Sequence, residues 1–294
     1  MAKLRVGVLG ASSLVGGCVL PLLRDAGWQV LAFTRHTQQR DESDIRWQVL
    51  PTEVPRRTVS QDVAGTIKYW VCVAPIWVLQ DYFSLIEASG ARRVVVLSST
   101  SRFSKIGSGD FAENAVATKL IESEASVRAW AERSGIEWVI LRPTLIYGLG
   151  ADKNICEIAR FIQRFGFFPL LGQAQGLRQP IHAEDVAAAC LAALQAPEAS
   201  NRAYNISGGE TMSYRDMVKR VIAAMGHQGR LVTVPLWAFR VAAAMVRILP
   251  RYRHWSAAMA ERMNRDLVFE HADAARDLGF KPRGFVLTAK DVPQ

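Results

Sequence analysis

The sequence predicts an α/β fold in which a doubly wound parallel sheet is combined with a smaller C-terminal lobe. The chain opens with an apolar strand, Leu4 to Leu9, which runs into a small-residue turn and then a helix from Leu14 to about Ala26. Further apolar strands alternate with helical segments along the first half of the chain, as they do in βαβ units. Arg93 to Leu97 is a β-branched run of the kind that is buried on both faces of a parallel sheet.

The composition favours a globular protein that binds anionic small molecules. The chain has 294 residues, half of them hydrophobic, and a formal net charge of +9. Its arginines are spread along the chain, which favours phosphorylated cofactors and substrates over nucleic acid. The four cysteines and five histidines are dispersed, so we expect reduced thiols and no metal site. No signal sequence opens the chain, and we expect a cytoplasmic protein.

The turn after the first strand predicts a pyrophosphate site. A strand, a glycine turn and a helix aim backbone N–H groups and the positive end of the helix dipole at one point. Gly10 allows a tight turn, Gly16 lets the helix lie close to the strand, and Ser13 takes the place of a middle glycine. The alternative is an ordinary tight turn. The predicted cofactor-binding residues here are Gly10, Ser12, Ser13, Leu14, Val15 and Gly16.

The end of the second strand, Trp28 to Phe33, predicts which dinucleotide binds. In this arrangement the residue just past that strand meets the adenosine ribose, and an acidic residue would accept from a free 2′-hydroxyl. Here the chain has Arg35, with Arg40 nearby, and arginine suits a 2′-phosphate. We therefore favour NADP(H) over NAD(H), the alternative being a solvated surface arginine.

Later strands place more candidate residues at the same sheet edge. We expect strands over Arg46–Leu50, Ile67–Val73 and Trp138–Leu141, and helices over Trp77–Ser89 and Ala112–Ser134. Ligands bind at the carboxyl ends of parallel strands. The Rossmann-type sheet that these elements predict therefore brings together, beside the glycine turn, Ala74, Pro75, Ser98, Pro143 and Thr144.

With these residues in view, the chain resembles the extended short-chain dehydrogenase/reductases, in particular the NAD(P)-dependent nucleotide-sugar epimerase/dehydratase branch. The resemblance covers nearly the whole chain. Besides the glycine turn, it is carried by the Ser98–Ser101 cluster, Lys119, and the segments Arg142–Gly148, Arg178–Ala187 and Asp273–Pro282.

The resemblance implies a catalytic pattern that this chain only partly has. In the family, a tyrosine four residues before a lysine transfers a proton, the lysine holds the nicotinamide ribose, and a hydroxyl binds the reacting oxygen. Lys119 matches the lysine and Thr100 the hydroxyl, but Ala115 stands where the tyrosine belongs. Tyr147, Thr100 or the substrate itself could serve as the acid. Otherwise the protein binds NADP(H) without turnover, or Lys119 is an ordinary surface lysine.

The resemblance also implies a substrate lobe. It assigns Arg178 to the diphosphate of a sugar nucleotide and Asn154 to its phosphate or sugar, the alternative for Arg178 being a surface arginine. We expect a dinucleotide-binding domain at 1–148, with a return segment at about 182–207. The lobe would comprise 149–181 and 208–294.

Partners follow from the same interpretation. The basic apolar run at 236–255 is too short to span a bilayer, so it either covers the substrate pocket, which we favour, or lies on a membrane surface. A homodimer through Ala112–Ser134 is a family analogy. An alternative function is a non-catalytic NADP(H)-binding sensor or accessory subunit. The dinucleotide-binding subunit of respiratory complex I is similar around Arg164-Phe165-Gly166 and Gln179-Pro180.

Overall fold

The computed structural model describes residues 3–35, 44–50, 66–226, 229–237 and 257–293. Arg40, the expected loop at 51–65 and most of the basic apolar run at 236–255 lie outside these residues. The strands are β1 (Arg5–Leu9), β2 (Gln29–Thr34), β3 (Ile45–Val49), β4 (Tyr69–Cys72), β5 (Arg93–Leu97), β6 (Glu137–Pro143), β7 (Ile146–Tyr147), β8 (Phe167–Leu171), β9 (Leu177–Arg178), β10 (Ile181–His182), β11 (Arg202–Ile206), β12 (Met212–Ser213) and β13 (Arg230–Val234).

Helices connect most of these strands, and their ends follow the sequence signals. The α-helices are α1 (Leu14–Asp25), α2 (Phe83–Ala88), α3 (Ser101–Ser104), α4 (Phe111–Arg133), α5 (Ile155–Phe165), α6 (Ala183–Gln195) and α7 (Tyr214–Ala224), followed by the helices Ala257–Asn264 and Ala272–Leu278. Asp110 caps α4 by accepting from the Ala112 N–H at 2.9 Å. The single helix expected over 77–89 is instead a 3-10 helix, Ile76–Tyr82, followed by α2.

Seven strands form one sheet in the order β3-β2-β1-β4-β5-β6-β11. Every adjacent pair is parallel. The strand order reverses between β1 and β4, and ligands bind beside such a switch point in doubly wound sheets. The predicted fold class is therefore confirmed.

Two apolar cores cover the two faces of this sheet. Alternate strand residues point to opposite faces, so Val6 and Val8 join the core beneath α1 and α6, whereas Leu9 joins the core beneath α4. A third core lies outside the sheet, where α5, α7 and the β8–β13 pair surround Tyr147 and Phe285. This third core belongs to the smaller lobe, whose exact limits stay a prediction.

Candidate functional site

The turn between β1 and α1 brings three backbone segments together so closely that no side chain fits. Gly10 has a φ of 83°, and a Cβ at this position would lie 2.4 Å from the Ala74 nitrogen at the end of β4. A Cβ on Gly16 would lie 2.5 Å from the carbonyl oxygens of Gly10 and Ala11. Both positions therefore require glycine, and the first turn of α1 sits directly at the switch point of the sheet.

Ser13 shapes the N-terminus of α1. Its Oγ accepts from the Gly16 N–H at 3.1 Å, and its own N–H donates to the Gly10 carbonyl at 2.9 Å. The first N–H groups of a helix have no partner within the helix, and the dipole makes this end attractive to anions. The backbone of Leu14 and Val15 lies in this first turn. The arrangement has the geometry of a phosphate cradle, and it fits the pyrophosphate of a dinucleotide.

The other cofactor candidates lie at neighbouring strand ends. Arg35 is exposed directly after β2. Ala74 and Pro75 follow β4, and Ser98 follows β5. At the end of β6, the Thr144 hydroxyl donates to the Gln179 carbonyl, so this side chain helps to hold the lobe connection.

The three hydroxyl groups between β5 and α3 have different partners. Ser98 Oγ donates to Glu124 Oε1 at 2.6 Å, and Thr100 Oγ1 donates to the Pro143 carbonyl at 3.1 Å. Ser99 Oγ accepts from the Ser101 N–H at 3.1 Å. Thr100 is buried and its proton is engaged, which differs from the expectation that this hydroxyl meets a reacting oxygen.

Glu124 was missed in the sequence analysis although it organises this end of the sheet. Its buried carboxylate accepts from Arg142 through Nη2 at 2.7 Å and Nε at 3.0 Å. Arg102 also donates to it, and Arg128 lies 3.5 Å away. The available signal was a charged residue that falls on the buried stripe of α4, where charges are rare unless paired.

Lys119 and Ala115 lie one turn apart on the exposed side of α4. The Lys119 ammonium is 4.7 Å from the centroid of the Trp77 ring. Trp77 stands only two residues after Pro75, so Lys119 lies near the proposed cofactor edge. Position 115 itself carries no phenol.

Tyr147 is shielded from solvent, which corrects the expectation that its hydroxyl could serve as the acid. Its side chain is completely buried in the third core, where the ring packs edge-on against His182 and Phe285. Burial and the carboxylates of Asp291 and Asp185 raise the pKa of its hydroxyl to about 12. A buried phenol of this kind is poorly placed to give up a proton to a ligand.

Arg178 is engaged by the backbone and is not a surface arginine. The buried guanidinium donates to the carbonyls of Leu177 at 2.6 Å and Arg265 at 2.8 Å, and also to that of Arg262. It lies 5.4 Å from the ring of Tyr214. The three carbonyls use both Nη1 hydrogens and one Nη2 hydrogen, so at most Nε and the second Nη2 hydrogen of Arg178 could meet a diphosphate.

Asn154 is exposed just before α5, and Asp152 caps that helix by accepting from the Ile155 N–H.

Across the described ranges, the structure contains no helix that is long and apolar enough to cross a membrane.

Comparison with known proteins shows which proteins the chain is similar to. Residues 78–207 match the model of the NAD dependent epimerase/dehydratase family. A UDP-glucose 4-epimerase from Vibrio cholerae is 24% identical over 174 residues, which cover 58% of this chain and 51% of the relative. Subunit 9 of the NADH dehydrogenase 1 alpha subcomplex from Arabidopsis thaliana is 26% identical over 129 residues, covering 44% of this chain and 31% of the relative. The matches thus span about half the length of these relatives or less.

A solved structure extends the similarity of the fold to nearly the whole chain. UDP-N-acetylglucosamine 4-epimerase from Bacillus cereus superimposes with a TM-score of 0.69 at 15% identity, covering 98% of this chain and 94% of that one. The resemblance read from the sequence is supported over residues 78–207, which match the epimerase/dehydratase family model, and the superposition shows that nearly the whole chain has the fold of such an epimerase.

Proposed function

We propose that this protein binds NADP(H) and acts as an atypical epimerase, dehydratase or reductase on a nucleotide-diphosphate sugar or a related carbonyl compound. The observation that carries the proposal is the cradle at the switch point, where Gly10 and Gly16 allow contacts that any Cβ would block. The epimerase/dehydratase family supports the same reaction class. When bound, the cofactor supplies or accepts the hydride.

Different residues of this chain would contact different parts of the cofactor. The backbone of the cradle would hold the pyrophosphate, Arg35 the 2′-phosphate and Lys119 the nicotinamide ribose. The strand ends would line the rest of the cofactor, through Ala74, Pro75, Ser98, Pro143 and Thr144. On the substrate side, Asn154 and Arg178 remain candidates for binding.

A calorimetric comparison tests the preference for NADP(H). An ionic hydrogen bond contributes about 1.5–3 kcal/mol, so Arg35→Ala should weaken NADPH binding by roughly 10-fold to 150-fold. Its effect on NADH should be small, since NADH lacks the 2′-phosphate. Arg92→Ala is the matched control, because Arg92 is exposed just before β5, at the opposite edge of the sheet. Equal losses for the two cofactors, or tighter NADH binding by the parent protein, would refute the preference.

The vacant tyrosine position makes the proposed activity slow. A positioned general acid contributes roughly 10²-fold to 10⁴-fold, and Ala115 cannot provide one. We expect Ala115→Tyr to raise or create slow NADPH oxidation with a carbonyl substrate. Lys119→Ala should weaken NADPH binding, because the ribose contact does not need the phenol. If the parent protein turns over rapidly and both Thr100→Val and Tyr147→Phe keep that rate, the acid lies elsewhere.

A second candidate is a non-catalytic NADP(H)-binding sensor or accessory subunit. The engaged state of Arg178 and the similarity to a complex I subunit favour it. Thermal shifts with a panel of nucleotide sugars separate the two candidates. Stabilisation beyond that from NADPH, lost in Arg178→Ala, supports the enzyme. A large NADPH response without any response to sugar nucleotides supports the binder.

A further inference from the structure

One face of the smaller lobe carries exposed apolar side chains along the β8–β13 pair. The two strands are parallel, with Phe167 beside Arg230 and Pro169 beside Val232. Strand alternation turns Phe168 and Leu170 into the third core and their neighbours outward. Phe167 and Val232 are therefore exposed on the outward face.

Aromatic residues extend this face at both ends. Phe165, at the end of α5, is 52% exposed, and its ring centroid lies 6.5 Å from that of Phe167. At the other end, directly after β13, Leu236 is exposed and Trp237 is 71% exposed. Single exposed apolar residues are ordinary, whereas several exposed apolar side chains along one pair of strands indicate an interaction surface. We call Phe165, Phe167, Val232, Leu236 and Trp237 the lobe patch.

The charges around the lobe patch are positive. The Arg164 guanidinium lies 5.4 Å from the centroid of the Phe165 ring, and Arg230 is exposed beside Phe167. In the described part of the stretch between Asp216 and Glu261, residues 217–226 and 229–237, the charged side chains are Lys219, Arg220 and Arg230. Lys219 pairs with Asp216 and Arg220 pairs with Glu210. These two carboxylates therefore do not neutralise Arg164 or Arg230.

We propose that the lobe patch docks on an anionic phospholipid surface. Phe and Trp side chains favour the boundary between headgroups and acyl chains, and arginines beside them meet lipid phosphates. Their positive charge is attracted by the diffuse negative potential of an anionic leaflet. A lipid surface supplies an apolar interior below a negative layer, which matches aromatic side chains flanked by cations. This surface lies on the lobe, so docking does not require the cofactor site.

Vesicle co-sedimentation of the full chain tests the proposal. We expect binding to vesicles that mix phosphatidylglycerol with phosphatidylcholine, little binding to pure phosphatidylcholine, and a marked loss of binding in high salt. The double variant Phe165→Ser/Phe167→Ser should lower the bound-to-free ratio at least tenfold. Arg164→Gln/Arg230→Gln should lower it on anionic vesicles and reduce its dependence on salt.

Phe111→Ser is the matched control, because Phe111 is 89% exposed at the start of α4, outside the lobe patch. It should bind vesicles like the parent protein. Each variant should keep the parent's thermal shift with NADPH or, if the parent gives none, its melting temperature, so that a folding defect is recognised. The proposal is overturned if the parent protein does not bind anionic vesicles. It is also overturned if Phe111→Ser costs as much binding as the patch variants, or if the patch binds a protein partner but no vesicle.

Discussion

Replacing Glu124 by glutamine is expected to destabilise the protein strongly. The carboxylate is 1% exposed and is the shared acceptor of Ser98, Arg102 and Arg142. Glutamine keeps the shape but not the charge, so the guanidinium groups of Arg102, Arg128 and Arg142 lose their counter-ion. Because these groups connect α3, α4 and the ends of β5 and β6, the effect falls on the edge of the sheet where the candidate site lies.

The structure sets the size of this effect. Removing one partner of a buried ion pair costs about 3–5 kcal/mol. The Arg102 and Arg142 side chains keep 18% and 11% exposure, so water reaches them and we expect the lower end, about 3 kcal/mol. For a chain of this length each kcal/mol lowers Tm by roughly 2–3 °C, which gives a fall of roughly 6–9 °C.

Urea unfolding and thermal scans measure the effect, and the same helix supplies a control. Glu122 is exposed on α4, two residues before Glu124. Glu122→Gln should change the free energy of unfolding by less than about 0.5 kcal/mol. If Glu124→Gln falls within about 1 kcal/mol of that control, with an unchanged m-value, the charge network does not stabilise the fold as argued.

Three further predictions concern other parts of the structure. Gly10→Ala should cost more than about 2 kcal/mol and abolish the thermal shift with NADPH, because its φ of 83° and the 2.4 Å approach to Ala74 both exclude a methyl group. Gly17→Ala, with no atom within 4 Å of the added Cβ, should preserve or raise stability in the same assay. Arg93→Met should lower the free energy of unfolding in urea by about 2 kcal/mol, because Arg93 Nη1 donates to the carbonyls that end α6. Asp291→Asn should be less stable than the parent at pH 7, and the difference should shrink as the pH falls below 3.8, as urea midpoints across pH 7 to 2 would show. Burial raises the pKa of Asp291, but the hydrogen bonds that its carboxylate receives outweigh burial and lower it, so its stabilisation is lost when that group is protonated.

The fold could be predicted because its signals are local. Helix α1 spans Leu14–Asp25, close to the predicted range of Leu14 to about Ala26, and Gly27, whose φ is 83°, follows its last turn. The cradle at Gly10 was equally predictable, since a strand, a turn and a helix that are consecutive in sequence determine it. Periodicity and glycine placement therefore fixed the elements and the edge at which they meet.

The directions of the candidate side chains could not be predicted in this way. Tyr147 ends a strand of only two residues, too short for alternation to show which face it takes. Arg178 is held by carbonyls 84 and 87 residues away along the chain, at Arg262 and Arg265. No local pattern contains such contacts, because they exist only after distant segments of the lobe have folded together.

These contacts narrow the chemistry that the candidate site can perform. Of the three hydroxyl groups between β5 and α3, that of Ser98 donates a hydrogen bond to Glu124 and that of Thr100 donates one to the Pro143 carbonyl. Ser99 only accepts, from the Ser101 N–H, so its own proton stays available to a ligand. With alanine at position 115, any hydride chemistry here would draw its proton from Ser99, from solvent or from the substrate. A serine hydroxyl is a far weaker acid than a phenol beside a lysine, so the proposed activity should turn over slowly.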